Sequence, residues 1–355
     1  MEDGVYGDHK MREIKNISGE KSYSEKIGLI TIYIPTYKNE HLIIECVKSC
    51  IKQTYKNIQI IVVDNGYREL GEILKEKLSQ LKDNRIEYIP NSSNIGSQGS
   101  FNEILQYARK SNRFMVIPAD QMLVESCVQT MADAAQDKPS ANIVYPRTIV
   151  RDIRVTALSS VISGEEMPAE WHHKETGLVP SNLLIEKYFD YTNLNSEWNH
   201  FSYLGALIDG ALIRSIGRSR FPLWDHGFEE MVCLDILSFT QDVMIINEPL
   251  LIQYTNNERL GTAKRVGLNY TRYEPLFVEY KYLENYEALL VRKGIKLSKL
   301  YISLIIKTVY SIIRYPGYTF LMVSKLVPFC IKLIIIMPTE TIIEVYKSIL
   351  KFKNK

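Results

Sequence analysis

The chain has 355 residues, 46% of them hydrophobic and 24% charged, with a formal net charge of +2. This balance excludes a disordered polypeptide and leaves room for one large domain with or without an extension. The charge is unevenly placed: from residue 291 onward 12 Lys/Arg face two acids, Glu340 and Glu344, for +10, while the rest of the chain stands at −8.

Residues 1–26 are polar and aperiodic, hold no apolar core of signal-peptide length, and are expected to form a flexible arm. Ile30–Ile34 predicts a buried strand stopped by Pro35. Ile43, Cys46, Val47 and Cys50 then recur at the spacing of one helical face. Ile58–Val63 is a second β-branched run, closed by a turn at Asp64-Asn65-Gly66. Leu70, Ile73, Leu74, Leu78 and Leu81 form a helical stripe, Ile86–Ile89 a short strand, and Ile104, Leu105 and Ala108 a third helix. Phe114–Ile117 is the fourth strand, and Asp120 follows it. Such alternation predicts an α/β fold with a mostly parallel sheet flanked by helices on both faces. Sheets of this kind bind ligands at the carboxyl ends of their strands, where Thr36, Asp64 and Asp120 lie.

Residues 124–145 predict a further helix and a strand at Ile143–Tyr145. Periodicity is poor between 150 and 200, which reads as a long loop carrying Trp171, His172 and His173. Phe201–Ile208 is strand-like, Ala211–Ile216 a short helix closed by Gly217, Glu229–Phe239 a helix and Val243–Ile246 a strand. Tyr273–Lys293 fits a long amphipathic helix stopped by Gly294. In the tail, 295–355, apolar runs are broken by Lys307, Arg314, Lys325 and Lys332, so a spanning helix is not expected. Lys307 and Arg314 are seven apart, as are Lys325 and Lys332, which places each pair on one helical face. This pattern suits amphipathic helices lying on an anionic membrane surface; helices packed on the body with a solvated basic face are the plain alternative. The five cysteines include no CxxC pair, and Cys46 and Cys50 read as small buried apolar residues. Without an export signal or disulfide pattern, a cytoplasmic location is expected, peripheral on the inner face of the membrane.

The segment ITIYIPTYKNEHLIIECVKSCIKQTYKNIQIIVVDNG, residues 30–66, resembles the opening of the family 2 glycosyltransferases. The shared features are a strand ending in Pro35-Thr36-Tyr37, a helix ending in Gln-Thr-Tyr-Lys-Asn, and a strand ending in Val-Val-Asp. NSSNIGSQGSFNEIL (91–105), the strand ending at Asp120, GFEEMVCLDIL (227–237) and NEPLLIQY (247–254) follow in the family's order. The resemblance covers roughly residues 28–256 and implies the GT-A fold, which is Rossmann-like. The implied organisation is a GT-A domain at 27–260, with a nucleotide-sugar half at about 27–122 and an acceptor half at about 123–260. A long helix at 261–294 would pack on that domain, and 295–355 would form the C-terminal helical, membrane-associating extension.

The resemblance also implies roles. Pro35, Thr36 and Tyr37 stand where the first strand meets the nucleotide. Asp64 and Asn65 occupy the place of the family's base-binding acidic pair, and either can accept an N–H from a base. Simple turn residues are the alternative for both. Asn94 and Gly96 lie in a loop whose backbone N–H groups can approach phosphates. Phe101 stands near the place of a basic residue common in the family. Asp120 aligns with the last acid of the family's Asp-x-Asp motif, the ligand of Mn²⁺ or Mg²⁺, with Pro118 in the first-acid position and Gln121 next. A hard cation keeps water and phosphate oxygens in its shell, so one carboxylate can serve, with weak affinity until the donor arrives. Glu229-Glu230 resembles the acid pair that opens a helix beneath the acceptor. Glu230 takes the base position, with Glu229 and Asp225 as fallbacks; helix-dipole stabilisation is the structural alternative for the pair. Trp171, Trp198, Tyr203 and His226 are candidates for the acceptor pocket.

The function implied is that of an inverting hexosyl- or deoxyhexosyltransferase. It would move a sugar from a nucleoside-diphosphate sugar to a lipid-linked or polysaccharide acceptor in bacterial surface-glycan synthesis, with no nucleic-acid partner. A non-catalytic nucleotide-sugar or glycan-binding subunit of a membrane assembly complex is the competing reading. A nucleotidyltransferase is disfavoured because IPTYKNE supplies only Lys38 as a phosphate-binding cation.

Overall fold

The computed structural model describes residues 27–37, 40–66, 68–108, 110–152, 154–156, 159–161, 166–168, 176–189, 202–216, 228–255, 282–283, 286–314 and 343. Strands and helices alternate from the start: β1 (Ile30–Thr36), α1 (Glu40–Ile51), β2 (Ile58–Asp64), α2 (Arg68–Gln80), β3 (Ile86–Pro90), α3 (Gly96–Ala108) and β4 (Arg113–Val116). β1 pairs in parallel with β2 and β4, and β2 in parallel with β3. Side chains alternate across β1, with Ile30, Ile32 and Ile34 packing among the residues of α1, α2 and a later helix, while Tyr33 joins Phe101, Ile104 and Leu105 of α3. Complete burial of such side chains stabilises by about 1.5–3 kcal/mol each, and a one-residue slip would exchange the faces, so the register is strongly specified.

Contrary to expectation, Pro35 does not stop β1. The Tyr33 carbonyl points toward β4, where it accepts Ile117 N–H at 2.8 Å. Alternation then turns Pro35 to the same side, beyond the last β1–β4 pair at Tyr33 and Val116, so its missing N–H costs no ladder bond. Thr36 points to β2, where its carbonyl accepts Asn65 N–H at 2.9 Å. In α2, Leu74 and Leu78 are buried as expected, but Ile73 is 45% exposed and lies off the core stripe.

The second half departs further from the sequence expectation. After β5 (Gln121–Leu123) and α4 (Cys127–Asp137), β6 runs from Ile143 to Asp152, well past the three residues expected. The presumed loop after 150 contains β7 (Arg154–Thr156), β8 (Ser159–Val161), β9 (Glu166–Pro168), β10 (Gly177–Pro180) and α5 (Ser181–Tyr188). Strands of three or four residues leave too few positions for a periodic signal. The run at Phe201–Ile208 contains a strand only at its end, β11 (Leu207–Asp209). The interruption is Gly205, at φ +81°, where an added Cβ would lie 2.2 Å from Leu251 Cδ1; only glycine tolerates both conditions. α6 (Gly210–Ile216) and α7 (Phe228–Phe239) match expectation, and β12 extends over Asp242–Thr255. Pro249 is accommodated in β12 by register shifts on either side of it.

The main sheet has the order β10-β12-β6-β11-β4-β1-β2-β3, with β5 added to β12 and β9 to β6. β11 is antiparallel to both β4 and β6, so β6 and its parallel partner β12 point the same way as β1–β4. α7 delivers the chain to the start of β12, at the amino edge of the sheet.

Residues 286–292 are helical and end as predicted at Gly294, φ +75°. Ile295 N–H bonds Leu290 O and Gly294 N–H bonds Val291 O, both at 3.0 Å, the paired bonds of a Schellman stop. Of the rest of the expected helix, which was to begin at Tyr273, residues 273–281 and 284–285 lie outside the described residues, as does the tail beyond 314 apart from Ile343. The first tail helix, α8 (Leu297–Arg314), docks on the body through buried Leu300, Leu304, Ile305 and Ile306. Its polar groups cap the end of α5: Ser303 Oγ donates to the Phe189 carbonyl, and Lys307 Nζ donates to the Tyr188 carbonyl at 3.3 Å. Lys299 pairs with Glu186 at 2.7 Å. Lys307 was expected to face headgroups with Arg314, but the unsatisfied carbonyls at the end of a helix are strong acceptors for a nearby ammonium. The four described cysteines, 46, 50, 127 and 233, are buried thiols outside any disulfide.

Candidate functional site

The site lies at the carboxyl edge of β1, β2 and β4. Parallel register brings Thr36 beside Asp64 and Asp64 beside Pro90. The Asp64 carbonyl accepts Asn91 N–H at 2.8 Å, which ties the start of the 91–96 segment to the end of β2. Thr36, Asp64 and Asn65 are all buried, and Tyr37 beyond them is half-buried.

The Asp64 carboxylate has two partners of its own. Oδ1 accepts Gly66 N–H at 2.8 Å, and Oδ2 accepts the Tyr88 hydroxyl at 2.8 Å. Tyr88 comes from the edge strand β3, and its pKa is pushed up by burial and by the hydrogen bond to Asp64, which keep its proton in place. The sequence reading missed this residue; the available signal was a hydroxyl-bearing ring on the face of β3 that packs toward β2.

Asn65 sits at the centre of the 91–96 segment. Its Nδ2 donates to Asn94 Oδ1 at 2.8 Å and to the Gly96 carbonyl at 3.3 Å. Its Oδ1 accepts Ile95 N–H at 2.8 Å and Asn91 Nδ2 at 3.3 Å. Asn94 Oδ1 also accepts Gly96 N–H at 2.9 Å, and Gly96, at φ +71°, opens α3. The expectation that the Asn65 carbonyl would serve the base is therefore corrected, because that oxygen is already occupied by the protein.

Asp120 lies in the turn between β4 and β5. The turn is closed by Gln121 N–H on Pro118 O at 2.9 Å, and the Asp120 carbonyl accepts Tyr254 N–H from β12 at 2.8 Å. Below it, the Cys46 thiol of α1 approaches Pro118 O at 3.8 Å. The Cys46 pKa is held up by its hydrogen bond with Cys50, by burial, and by the charges of Cys50 and Asp120. Gln53, fully buried, fixes the same region: Nε2 donates to Val124 O at 2.8 Å and Ser49 O at 3.0 Å, and Oε1 accepts Val128 N–H at 2.9 Å. The Gln-Thr-Tyr motif is thus a clamp on the chain after Asp120.

Among the described residues no three His, Cys, Asp or Glu side chains gather as a metal site. Asp120 alone fits a hard cation as one ligand of a shell completed by water and diphosphate oxygens. Phe101 is buried against Tyr203, with ring centroids 4.8 Å apart. This makes Tyr203, only 3% exposed, a core residue rather than an open acceptor platform. Glu229 and Glu230 belong to the first turn of α7, and their side chains lie outside the described residues. Trp171, His172, His173, Trp198, Asp225 and His226 lie outside them entirely.

A twisted, largely parallel sheet between two helical layers, with acids and loops gathered at its carboxyl edge, defines a GT-A fold. The Staphylococcus aureus TarS fragment 1–349 in complex with UDP-GlcNAc superposes with a TM-score of 0.53 at 13% identity, over 81% of this chain and 73% of that one. GalNAc-T7 with UDP, GalNAc and Mn²⁺ gives 0.51 at 12% identity, over 73% and 50%. Residues 31–190 match the sequence profile described as Glycosyl transferase family 2. Glycosyltransferase GlyG of Streptococcus pneumoniae is 29% identical over 117 residues, 33% of this chain and 38% of that protein. The Escherichia coli protein named UDP-Glc:alpha-D-GlcNAc-diphosphoundecaprenol beta-1,3-glucosyltransferase WfgD is 33% identical over 87 residues, 24% of this chain and 32% of that protein. The chain thus matches well under half the length of these relatives.

Proposed function

We propose that the protein is an inverting glycosyltransferase that moves a hexosyl or deoxyhexosyl group from a nucleoside-diphosphate sugar to a hydroxyl of a bacterial surface glycan. The observation that carries this reading is the convergence of Thr36, Asp64, the 91–96 segment and Asp120 at one edge of the sheet. Asp64 accepts from the base, backbone N–H groups at 92–94 approach the phosphates while those of Asn91, Ile95 and Gly96 hold the segment in shape, and Asp120 would hold a divalent cation on the diphosphate. When bound, Mn²⁺ or Mg²⁺ would supply charge neutralisation to the leaving group. Glu230 takes the proton of the acceptor hydroxyl as its oxygen bonds the anomeric carbon and the carbon–oxygen bond to the diphosphate breaks. A single displacement of this kind inverts the anomeric centre.

Thermal shift with UDP-, GDP-, CDP- and dTDP-sugars in the presence of Mn²⁺ tests the reading. A donor at 100 times its Kd should stabilise by about 2.7 kcal/mol. No shift with any of the four would overturn it.

A lipid-linked acceptor at the inner face of the membrane is the acceptor class we favour. Its support is the basic tail and the diphosphoundecaprenol in the name of the WfgD relative. No helix among the described residues is long and apolar enough to cross a membrane; we propose peripheral attachment because Lys307, Arg314, Lys325 and Lys332 break the apolar runs of the tail. Because α8 is part of the core, the informative truncation ends after Arg314 rather than at 294. The full chain is expected to sediment with anionic liposomes and the truncated chain to stay in solution; equal sedimentation of the two would remove the tail from the membrane argument.

A further inference from the structure

The two side chains at the β2 turn look interchangeable in sequence, since each can accept a hydrogen bond from a base. Their surroundings separate them. A carboxamide offers two N–H donors and an oxygen with two lone pairs. At Asn65 all four are used inside the protein, on Asn94 Oδ1, the Gly96 carbonyl, Ile95 N–H and Asn91 Nδ2. It has no spare hydrogen-bonding position; Asn65 and Asp64 are both 5% exposed, so the difference between them lies in the bonds already made and not in burial. An ionised carboxylate has roughly four acceptor sites, and Asp64 uses one on Gly66 N–H and one on the Tyr88 hydroxyl. Acceptor capacity for a ligand therefore remains on Asp64 alone.

We infer that Asn65 is a positioning residue: it latches the 91–96 segment to the end of β2 and so sets the donor-binding loop, while Asp64 alone reads the base. The inference rests on the nucleotide-sugar reading above. The latch has a specific reach. It grips the segment on both sides of Ile95, whose side chain is 42% exposed and lies against α3 at Gly99. It also holds Asn94 so that its Oδ1 caps Gly96 N–H at the start of α3. Releasing Asn65 would free the backbone N–H groups of this segment from the positions in which they can meet a diphosphate, and ordering them again would be charged against donor binding.

Asn65→Asp discriminates between the two roles. An acid keeps the acceptor a base reader needs, so a reading role predicts unchanged or tighter donor binding. An acid cannot donate to Asn94 Oδ1 or the Gly96 carbonyl and sets a carboxylate against both oxygens, so a latch role predicts loss. In the full-length protein, calorimetry with the nucleoside diphosphate of the best donor should show binding about tenfold or more weaker. Donor KM should rise by a similar factor with kcat close to wild type, and amide exchange at 91–96 should quicken. A purely structural role would lower Tm and leave the Kd of the folded protein alone. Asn94→Ala removes the same bond from an exposed position and should weaken binding in the same direction, which keeps the test available if Asn65→Asp fails to fold. Binding by both folded variants within twofold of wild type would overturn the latch alone. A wild-type protein that binds no nucleoside diphosphate would overturn the functional reading and the latch with it.

Discussion

Glu230→Gln is expected to lower the turnover of sugar transfer by about 10²–10⁴-fold, the usual contribution of a positioned general base. The change preserves size and hydrogen bonding but removes the group that can carry away the acceptor proton. On the proposed reading the donor binds at the sheet edge, so the thermal shift produced by the sugar nucleotide should remain as in wild type. Added small nucleophiles that are already ionised, such as azide, need no base and should restore part of the rate. We propose Glu230 for this role from its place in the acid pair at the first turn of α7. Unchanged turnover in Glu230→Gln would shift the base to Glu229 or Asp225, which the corresponding Gln and Asn variants would identify. Absence of both transfer and donor hydrolysis in the wild type, despite tight donor binding, would instead favour a non-catalytic binding subunit.

Asp120→Asn is expected to lower Mn²⁺-supported transfer by at least about 100-fold. Loss of an outer-shell partner already costs 10–100-fold at typical metal sites, and here the substitution removes the one carboxylate at the β4 end. The pattern of metal dependence is more diagnostic than the rate. With a single protein carboxylate the cation depends on diphosphate oxygens to complete its shell, so Mn²⁺ alone should scarcely change the Tm of the wild type. Mn²⁺ with donor should raise it above donor alone, and that increment should vanish in Asp120→Asn. Chelation by EDTA should bring the wild type down to the level of the variant. Full activity in EDTA would show that Asp120 works without a cation.

The nucleotide half of the fold was legible because its information is local. Ile30, Ile32 and Ile34 alternate within one strand, and Ile43, Cys46, Val47 and Cys50 repeat within one helix; each finds the face its spacing predicted. The strand ends at Thr36, Asp64 and Asp120 were recognisable because polar residues terminate apolar runs. The second half was less legible. β7 to β10 are three or four residues each, too short for a periodic pattern; β7 and β8 pair with each other, while β9 and β10 take their strand character from β6 and β12. Pro35 read as a strand stop, yet it faces the open side of its strand, and Pro249 lies within β12 at a bulge.

By itself the sequence determined the strand–helix alternation, the edge of the sheet at which chemistry is to be sought, and the family motifs in their order. Tertiary structure alone decided which side chains at that edge are spoken for. Tyr88 reaches Asp64 across 24 positions, Asn65 reaches Asn94 across 29, and Ser303 of the tail reaches Phe189 across 114. It also decided that Phe101 and Tyr203 fill core against each other, and that α8 belongs to the body. Periodicity is a property of neighbours along the chain, whereas a hydrogen-bonding group's availability depends on neighbours in space, which exist only once the chain has folded.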